Sequence, residues 1–444
     1  MTSFSIALTI PENSLTRLRL YGMTDDFEQS VAHATRDRTR IALRRVRDAL
    51  YDKARRFVGG IRGEPDAMET VAVYPATNDL DRAADLFNRM NWYLGALDVT
   101  AILPTPHDRA ALRRRVQSFN HQRTYEDIGQ VALVPPEQGR AKLEGADRIL
   151  VWDWRALLLP WVFTRLQKTV LIDPGFYSTR EVKEWYRNVS GILRTSEQQG
   201  RARFRRLQRQ FEGHTEAYVF ATGPSLDTVL DYSIPEGALR VICNSIVRND
   251  DLLEYLDPDI LTFADPVFHF GPSEYAAQFR EDAVETIREY DCWCVVNTPG
   301  DGLLRSHFPD IADRIIGLPV RPDLDRFHTP DASSLFVRAT GNIMTLLMLP
   351  VAASVADRIS VVGADGREEN ESYFWEHSSA AQYEGLMTSA VETHPSFFRD
   401  RLYDDYYDQH VQRLRELIET QEAQGKTYRS VTPSHIPVLK EREA

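Results

Sequence analysis

The stretch that most limits what this chain can fold into is Tyr218-Val-Phe-Ala-Thr-Gly-Pro-Ser-Leu-Asp227, a short apolar run that stops at a glycine. A β-branched and aromatic run of about five residues has the length of one buried strand. Gly223 permits a sharp turn with close backbone approach, Pro224 sets φ for a first helical position, and Ser225 offers a capping hydroxyl. A strand, a glycine turn and a helix N-terminus together present free N–H groups at a positive dipole end, which is a phosphate seat. Glycine turns of this kind also serve α/β proteins that bind nothing there, and this one lacks the G-x-G-x-x-G and Walker lysine patterns. Its meaning depends on the neighbouring strands.

Those strands follow in order. Ala238–Asn244 ends in Asn244, Pro258–Asp265 ends in Ala264-Asp265-Pro266, and Cys292–Asn297 runs into Thr298-Pro299-Gly300. Each stops at a small or polar residue on what would be one edge of a parallel sheet, the edge where open α/β sheets hold ligands. Ala339-Thr340-Gly341-Asn342 then opens an apolar helix through Ala353, and Arg358–Asp365 gives a further strand. This second glycine-opened helix start pairs naturally with the first for a ligand containing phosphate. Tyr373, Trp375, His377, Tyr383, His394, Tyr403, Tyr406, Tyr407 and His410 crowd the polar stretch beyond it. Their hydroxyls and imidazoles suit proton transfer and phosphate contact, while an amphipathic helix would use the same tyrosines for packing.

Upstream, Val71–Tyr74, Val99–Leu103, Arg148–Trp152 and Thr169–Ile172 are short apolar runs separated by helical stretches, the pattern of another parallel sheet. Pro75, Asn78, Asp153, Asp173 and Pro174 mark its strand ends, where polar residues also collect simply because strands stop; no catalytic role is assigned to them. The expected organisation is a helical segment over 1–65, an α/β domain over 66–177, a connecting helix over 178–214 with solvated arginines, and a second α/β domain over 215–440. The basic run Arg36–Arg62 reads either as a patch for anionic lipid or polymer or as a solvated helix face packed on the domain; interleaved acidic residues and the lack of an aromatic belt favour the second.

With 444 residues, 43% of them hydrophobic, the chain can fill more than one core. No apolar run reaches the ~20 residues of a membrane span and no signal pattern opens the chain, so a cytoplasmic protein is expected. The net charge of −12 argues against nonspecific nucleic-acid binding. Cys243, Cys292 and Cys294 lack zinc spacing and read as buried thiols.

Ala221-Thr-Gly-Pro-Ser-Leu226, the strand ending Ile242-Cys-Asn244, Thr340-Gly341 before a helix, Val362-Gly-Ala-Asp365 and a late histidine before Thr432-Pro-Ser434 resemble the bacterial sialyltransferases of the Campylobacter type, glycosyltransferase family 42. The same order resembles the wider MptE-like group, which includes motility-associated factors that glycosylate flagellin and an archaeal pterin pyrophosphokinase. The resemblance covers residues 215–440. It implies a variant of the GT-A sialyltransferase fold for that half and does not explain the first; with the sheet read upstream, the expected fold is α/β with two Rossmann-like parallel-sheet domains. The resemblance also implies an inverting glycosyltransferase that takes a nonulosonic acid from a CMP donor to a glycan or protein acceptor, with no required metal although magnesium is compatible.

Carried onto this sequence, the resemblance assigns nucleotide contact to Gly223, Ser225, Asn244 and Thr340; Thr222, Pro224, Asp265, Asn297, Gly341 and Asp365 join them as candidates from the same turns and strand ends. His410 becomes the base that takes the acceptor proton, with Asp404, Asp405 or Asp408 raising its basicity; His394 and His377 compete for the role. Tyr373 and Tyr383 support the departing phosphate, with Tyr406 and Tyr407 as alternatives. Two positions depart from the family pattern: Thr222 replaces an asparagine, and Ala264-Asp-Pro266 replaces Asn-Pro-Ser. A magnesium-dependent pyrophosphokinase is second choice, because Asp265 stands without the acidic cluster of that branch. A silent binding or scaffold protein for polysaccharide assembly is third, and peripheral membrane contact is compatible with any of the three.

Overall fold

The computed structural model describes residues 69–95, 99–120, 131–172, 182, 185, 197–298, 300–367, 383, 386 and 403–443. The basic run Arg36–Arg62, and with it the anionic-lipid reading, lies outside them, as do Asp173, Pro174, Tyr373, His377 and His394. The chain divides into Met1–Glu64 and a second compact unit, Pro65–Ala444. Everything below concerns the second unit.

Two parallel sheets form it, as the alternating apolar runs lead one to expect. The first contains β1 (Thr70–Tyr74), β2 (Thr100–Pro104), β3 (Val131–Val134), β4 (Arg148–Val151) and β5 (Thr169–Leu171) in the order β3-β2-β1-β4-β5. The second contains β6 (Glu216–Phe220), β7 (Leu239–Cys243), β8 (Ile260–Phe263), β9 (Trp293–Asn297), β10 (Ile315–Leu318), β13 (Arg358–Val362) and β14 (Thr427–Ser430), in the order β10-β9-β8-β7-β6-β13-β14. Two-residue strands β11 (Val320–Arg321) and β12 (Val337–Arg338) pair with each other outside it.

Near-continuous apolar strands are buried on both faces. On β6, Tyr218 and Phe220 join one apolar cluster, while Ala217 and Val219 join the other. The first of these clusters also holds Val71, Phe87, Trp92 and Leu103 from the first sheet and its helices, so the two sheets share an apolar interior. The helix Leu80–Leu94 makes the junction. Trp92 Nε1 donates to the Phe270 carbonyl at 2.9 Å, Asn88 Nδ2 donates to the Pro272 carbonyl at 3.0 Å, and His307 stacks on Trp92 with centroids 4.3 Å apart.

Within 178–214, the segment expected to be a solvated connector, the described residues from Glu197 onward pack against the second sheet. Its helix Glu197–Gln210 buries Phe204 and Leu207 completely and packs on β10. Two fully buried side chains in this arginine-rich helix suffice to seat it, and Arg203 and Arg206 reach Asp313. All three cysteines are free and buried, and burial pushes the Cys292 thiol up to about 12. Among the described residues no helix is long and apolar enough to cross a membrane.

Candidate functional site

From β6 the chain runs outward through β7, β8, β9 and β10, then returns across the sheet to β13 on the other flank. The crevice outside the carboxyl ends of β6 and β13 is therefore the topological switch point, where ligands of open α/β sheets bind. Phe220 pairs with Ile242 on one side and Val362 on the other, so the next residues along the three strands bring Thr222, Asn244 and Ala364 level with one another. Thr222, Gly223, Pro224, Ser225, Asn244 and Asp365, read separately along the sequence, are brought together here.

The anion position at the Gly223 turn is occupied by the chain itself. Ser225 N–H donates to the two Asp365 carboxylate oxygens at 3.0 and 3.2 Å, and Ser225 Oγ donates to Oδ2 at 2.9 Å. Gly223 N–H donates to the Gly363 carbonyl at 2.8 Å. Ser225 was expected to cap its own helix, but the cap comes from Asp365, and the element is the tight 3-10 helix Pro224–Asp231. A Cβ on Gly223 would lie 2.2 Å from Asp365 Oδ2 and 2.6 Å from the Gly363 oxygen, so the close approach that demands glycine is made by protein atoms. Burial pushes the Asp365 carboxyl above its ordinary value, and the bonds from Ser225 pull the other way.

Asn244, beside this turn, has φ 48°, the left-handed region that side chains other than asparagine and aspartate rarely enter. Its Oδ1 is enclosed and accepts no hydrogen bond among the described residues. An enclosed amide oxygen left unmatched costs ~1–3 kcal/mol, and a backbone held at positive φ adds to that. Strain and an open acceptor coincide at the end of β7, next to the switch point.

The next two strand ends differ in kind. Asp265 Oδ1 accepts from Val267 and Phe268 N–H, each at 2.8 Å, and Asp265 N–H donates to His269 Nδ1 at 3.0 Å. Its carboxylate thus closes a turn that Arg280 fixes from behind by donating to the His269 and Gly271 carbonyls. Asn297 is half-buried at the end of β9. Among the described residues no group of three or more His, Cys, Asp or Glu is placed to hold a metal ion.

Thr340 and Gly341 follow β12, so the second glycine turn leaves the small two-stranded sheet and not the main one. Thr340 Oγ1 accepts from Thr345 Oγ1 at 3.0 Å and donates to the Asn342 carbonyl at 3.3 Å, while Asn342 Oδ1 caps Met344 N–H at 2.8 Å. The following Met344–Met348 turn is a π-helix, and Pro350, which has no N–H, lies just beyond it. Tyr406 reaches back from the helix Tyr403–Glu422 to donate to the Gly341 carbonyl, and Tyr407 accepts from Arg367 N–H at 3.3 Å. Tyr406 thus holds the turn after β12 and Tyr407 the loop after β13.

His410 is on the same helix but on its inner face. Tyr407, His410, Leu414, Leu417 and Ile418 are buried, whereas Asp405 and Asp408 are exposed. The acidic neighbours were expected to raise the basicity of His410; burial instead brings it down to about 4. Charges on the outer face of the helix are screened by water and do not compensate the loss of hydration on the inner face. Tyr383 donates its hydroxyl to Asp282, packs edge-on against Tyr275 with centroids 5.2 Å apart, and has its phenol pushed up by burial. That ties its hydroxyl to the helix Glu274–Tyr290.

His435 is the residue the sequence reading passed over. It follows β14, is exposed, and donates its backbone N–H to the Asp365 carbonyl at 2.6 Å, which sets the residue beside Asp365. Ser434 Oγ donates to the Ala364 carbonyl at 2.6 Å, and Thr432 Oγ1 accepts from Gly363 N–H at 3.0 Å, so the 432–435 segment is strapped along the end of β13. The signal was available in Thr432-Pro-Ser-His435 directly after a strand. No protein family, curated protein or solved structure matches this chain, so the function is argued from its own geometry.

Proposed function

We propose that this chain is an inverting glycosyltransferase of the sialyltransferase-like GT-A variant, acting on the cytoplasmic side and binding a CMP-activated nonulosonic acid in the crevice outside β7, β6 and β13. The observation that carries the proposal is Asn244, whose enclosed amide oxygen is unmatched among the described residues and whose backbone is held in the left-handed region at the switch point. A hydrogen-bond donor on the nucleotide would satisfy that oxygen, and the cost of keeping it open is understandable as the cost of a prepared site. In the transfer, the acceptor hydroxyl oxygen bonds to the anomeric carbon on the face opposite CMP. The carbon–oxygen bond to the phosphate breaks, CMP leaves with the electron pair, and the hydroxyl proton passes to an imidazole. We assign that proton to His435, because it is exposed beside Asp365, whereas His410 is enclosed and weakly basic.

The test is a thermal-stability screen with CMP, a CMP-sugar and ATP with magnesium, followed by transfer assays. A nucleotide at 100 times its Kd stabilises a fold by ~2.7 kcal/mol. Protection by CMP that is lost in Asn244→Ala is the expected result. His435→Ala is expected to slow transfer by ~10²–10⁴-fold while CMP protection persists. Protection by ATP with magnesium alone, or by none of the three, overturns the proposal.

A further inference from the structure

Exposed apolar side chains are concentrated in one place. Among the described residues five large hydrophobic side chains are exposed, and four of them fall between Trp154 and Phe163: Trp154 at 44%, Leu158 at 71%, Leu159 at 38% and Phe163 at 55%. Single exposed leucines are ordinary, but four such residues within one short segment form a patch.

The patch is held firmly. The segment leaves the carboxyl end of β4, where Trp152 Nε1 donates to the Pro75 carbonyl at 2.6 Å and Asp153 Oδ1 accepts from Arg155 N–H at 3.0 Å. Ala156, Val162 and Leu166 are buried, and Trp161 meets Tyr74 edge-on at 4.8 Å. The inward residues carry the packing, and Leu158 and Phe163 leave more than half of their surface to solvent.

Charge identifies the occupant. From Trp154 to Lys168 the sequence has Arg155, Arg165 and Lys168 and no acidic residue, in a chain whose net charge is −12. Arg165 donates to the Trp161 carbonyl at 2.9 Å, which fixes one cation within the apolar segment, and Arg155 is exposed beside Trp154; Lys168 donates to the Ala146 carbonyl at 3.3 Å, at the amino end of β4. A second copy meeting this patch through a two-fold axis would bring the same cations face to face. An anionic bilayer matches both parts: leucine and phenylalanine enter the acyl boundary, tryptophan sits at headgroup level, and the cations meet lipid phosphates.

We infer that the Trp154–Phe163 segment docks the protein peripherally on anionic membranes. The inference stands apart from the transferase proposal, since it involves the other sheet and a different readout. The test is flotation of the full chain with vesicles of phosphatidylcholine, with and without phosphatidylglycerol. Binding is expected on the anionic vesicles and is expected to weaken with salt. Leu158→Ser/Phe163→Ser is expected to lower the partition by roughly tenfold or more, and Arg155→Gln/Arg165→Gln to erase the preference for anionic lipid. Both double variants are expected to keep the parent melting temperature. Failure to float with anionic vesicles, or equal flotation of parent and Leu158→Ser/Phe163→Ser, overturns the inference. So does a concentration-dependent dimer abolished by that variant without any vesicle binding.

Discussion

Gly223→Ala tests the reading of the switch point most directly. The added Cβ would lie 2.6 Å from the Gly363 oxygen and 2.2 Å from Asp365 Oδ2, both inside the closest approach of real Cβ atoms. The carboxylate can swing away, but the Gly363 oxygen is backbone, on a residue already at φ +72°. The turn must therefore shift, stretching the 2.8 Å bond from Gly223 N–H to Gly363 and the bonds that Ser225 makes to Asp365. A neutral backbone bond contributes ~1 kcal/mol and each charge-assisted bond ~1.5–3 kcal/mol when buried; discounting the latter for a carboxylate still partly hydrated leaves a loss of about 3 kcal/mol. Spread over a unit of this size, that lowers the melting temperature by ~4 °C. The assay is calorimetry or circular-dichroism melting of Gly223→Ala, Asp365→Ala and the double variant. Because one contact is shared, the double variant is expected to lose less than the sum of the singles. A loss under ~1 kcal/mol for Gly223→Ala, or strict additivity, would refute the claim that protein atoms fill the seat.

Two further outcomes follow from the buried polar groups. Burial lowers His269, His307 and His410 to about 4, so the unfolded chain takes up protons below its ordinary value of 6.5 while the folded chain does not. Stability is therefore lost as pH falls from 6.5 toward 4, on the order of 2–3 kcal/mol per fully enclosed imidazole; His410→Gln is expected to flatten that limb of the melting-temperature profile, and an unchanged limb would show that His410 is hydrated. Arg280 stacks 3.8 Å over Trp92 and donates to the His269 and Gly271 carbonyls, so Arg280→Met is expected to cost ~3 kcal/mol and to open both sheets to protease together. A stable fragment starting near residue 215 would contradict the shared interior.

The main strands were legible because each is a short, doubly buried run, and periodicity and length are enough to find such runs. β3, β10 and β14 were less so: Thr427–Ser430 alternates buried and exposed residues at an edge, and Ile315–Leu318 contains Gly317. Gly317 is there because a Cβ would strike the Asp301 carboxyl at 2.4 Å, a contact with no trace in the local sequence. The helix Glu197–Gln210 was misread for a related reason. Composition counts its arginines, whereas seating depends on Phe204 and Leu207 falling on one face. For His410 the acidic neighbours were visible, but which of them share its face was not.

Asp365 is the sharpest case, because it lies 140 residues from Ser225 and only the pairing of β6 with β13 brings them together. Sequence reading recognised the anion-binding geometry at Gly223 and could not see that an anion was already built in. The consequence for the proposed donor is chemical. A carboxylate bound to the first turn repels a phosphate aimed at the same N–H groups, and it is a good acceptor for hydroxyls, the use to which acidic residues at Rossmann strand ends are put when they bind ribose. In the proposed complex the sugar hydroxyls of the nucleotide therefore face Asp365. The phosphate, with the anomeric carbon bonded to it, lies off the Asp365 carboxylate on its His435 side, and the base or its amine reaches Asn244. Deoxycytidine and cytidine nucleotides separate this arrangement from a phosphate seat at Ser225: loss of a ribose hydroxyl is expected to weaken protection in the parent protein and to matter less in Asp365→Asn.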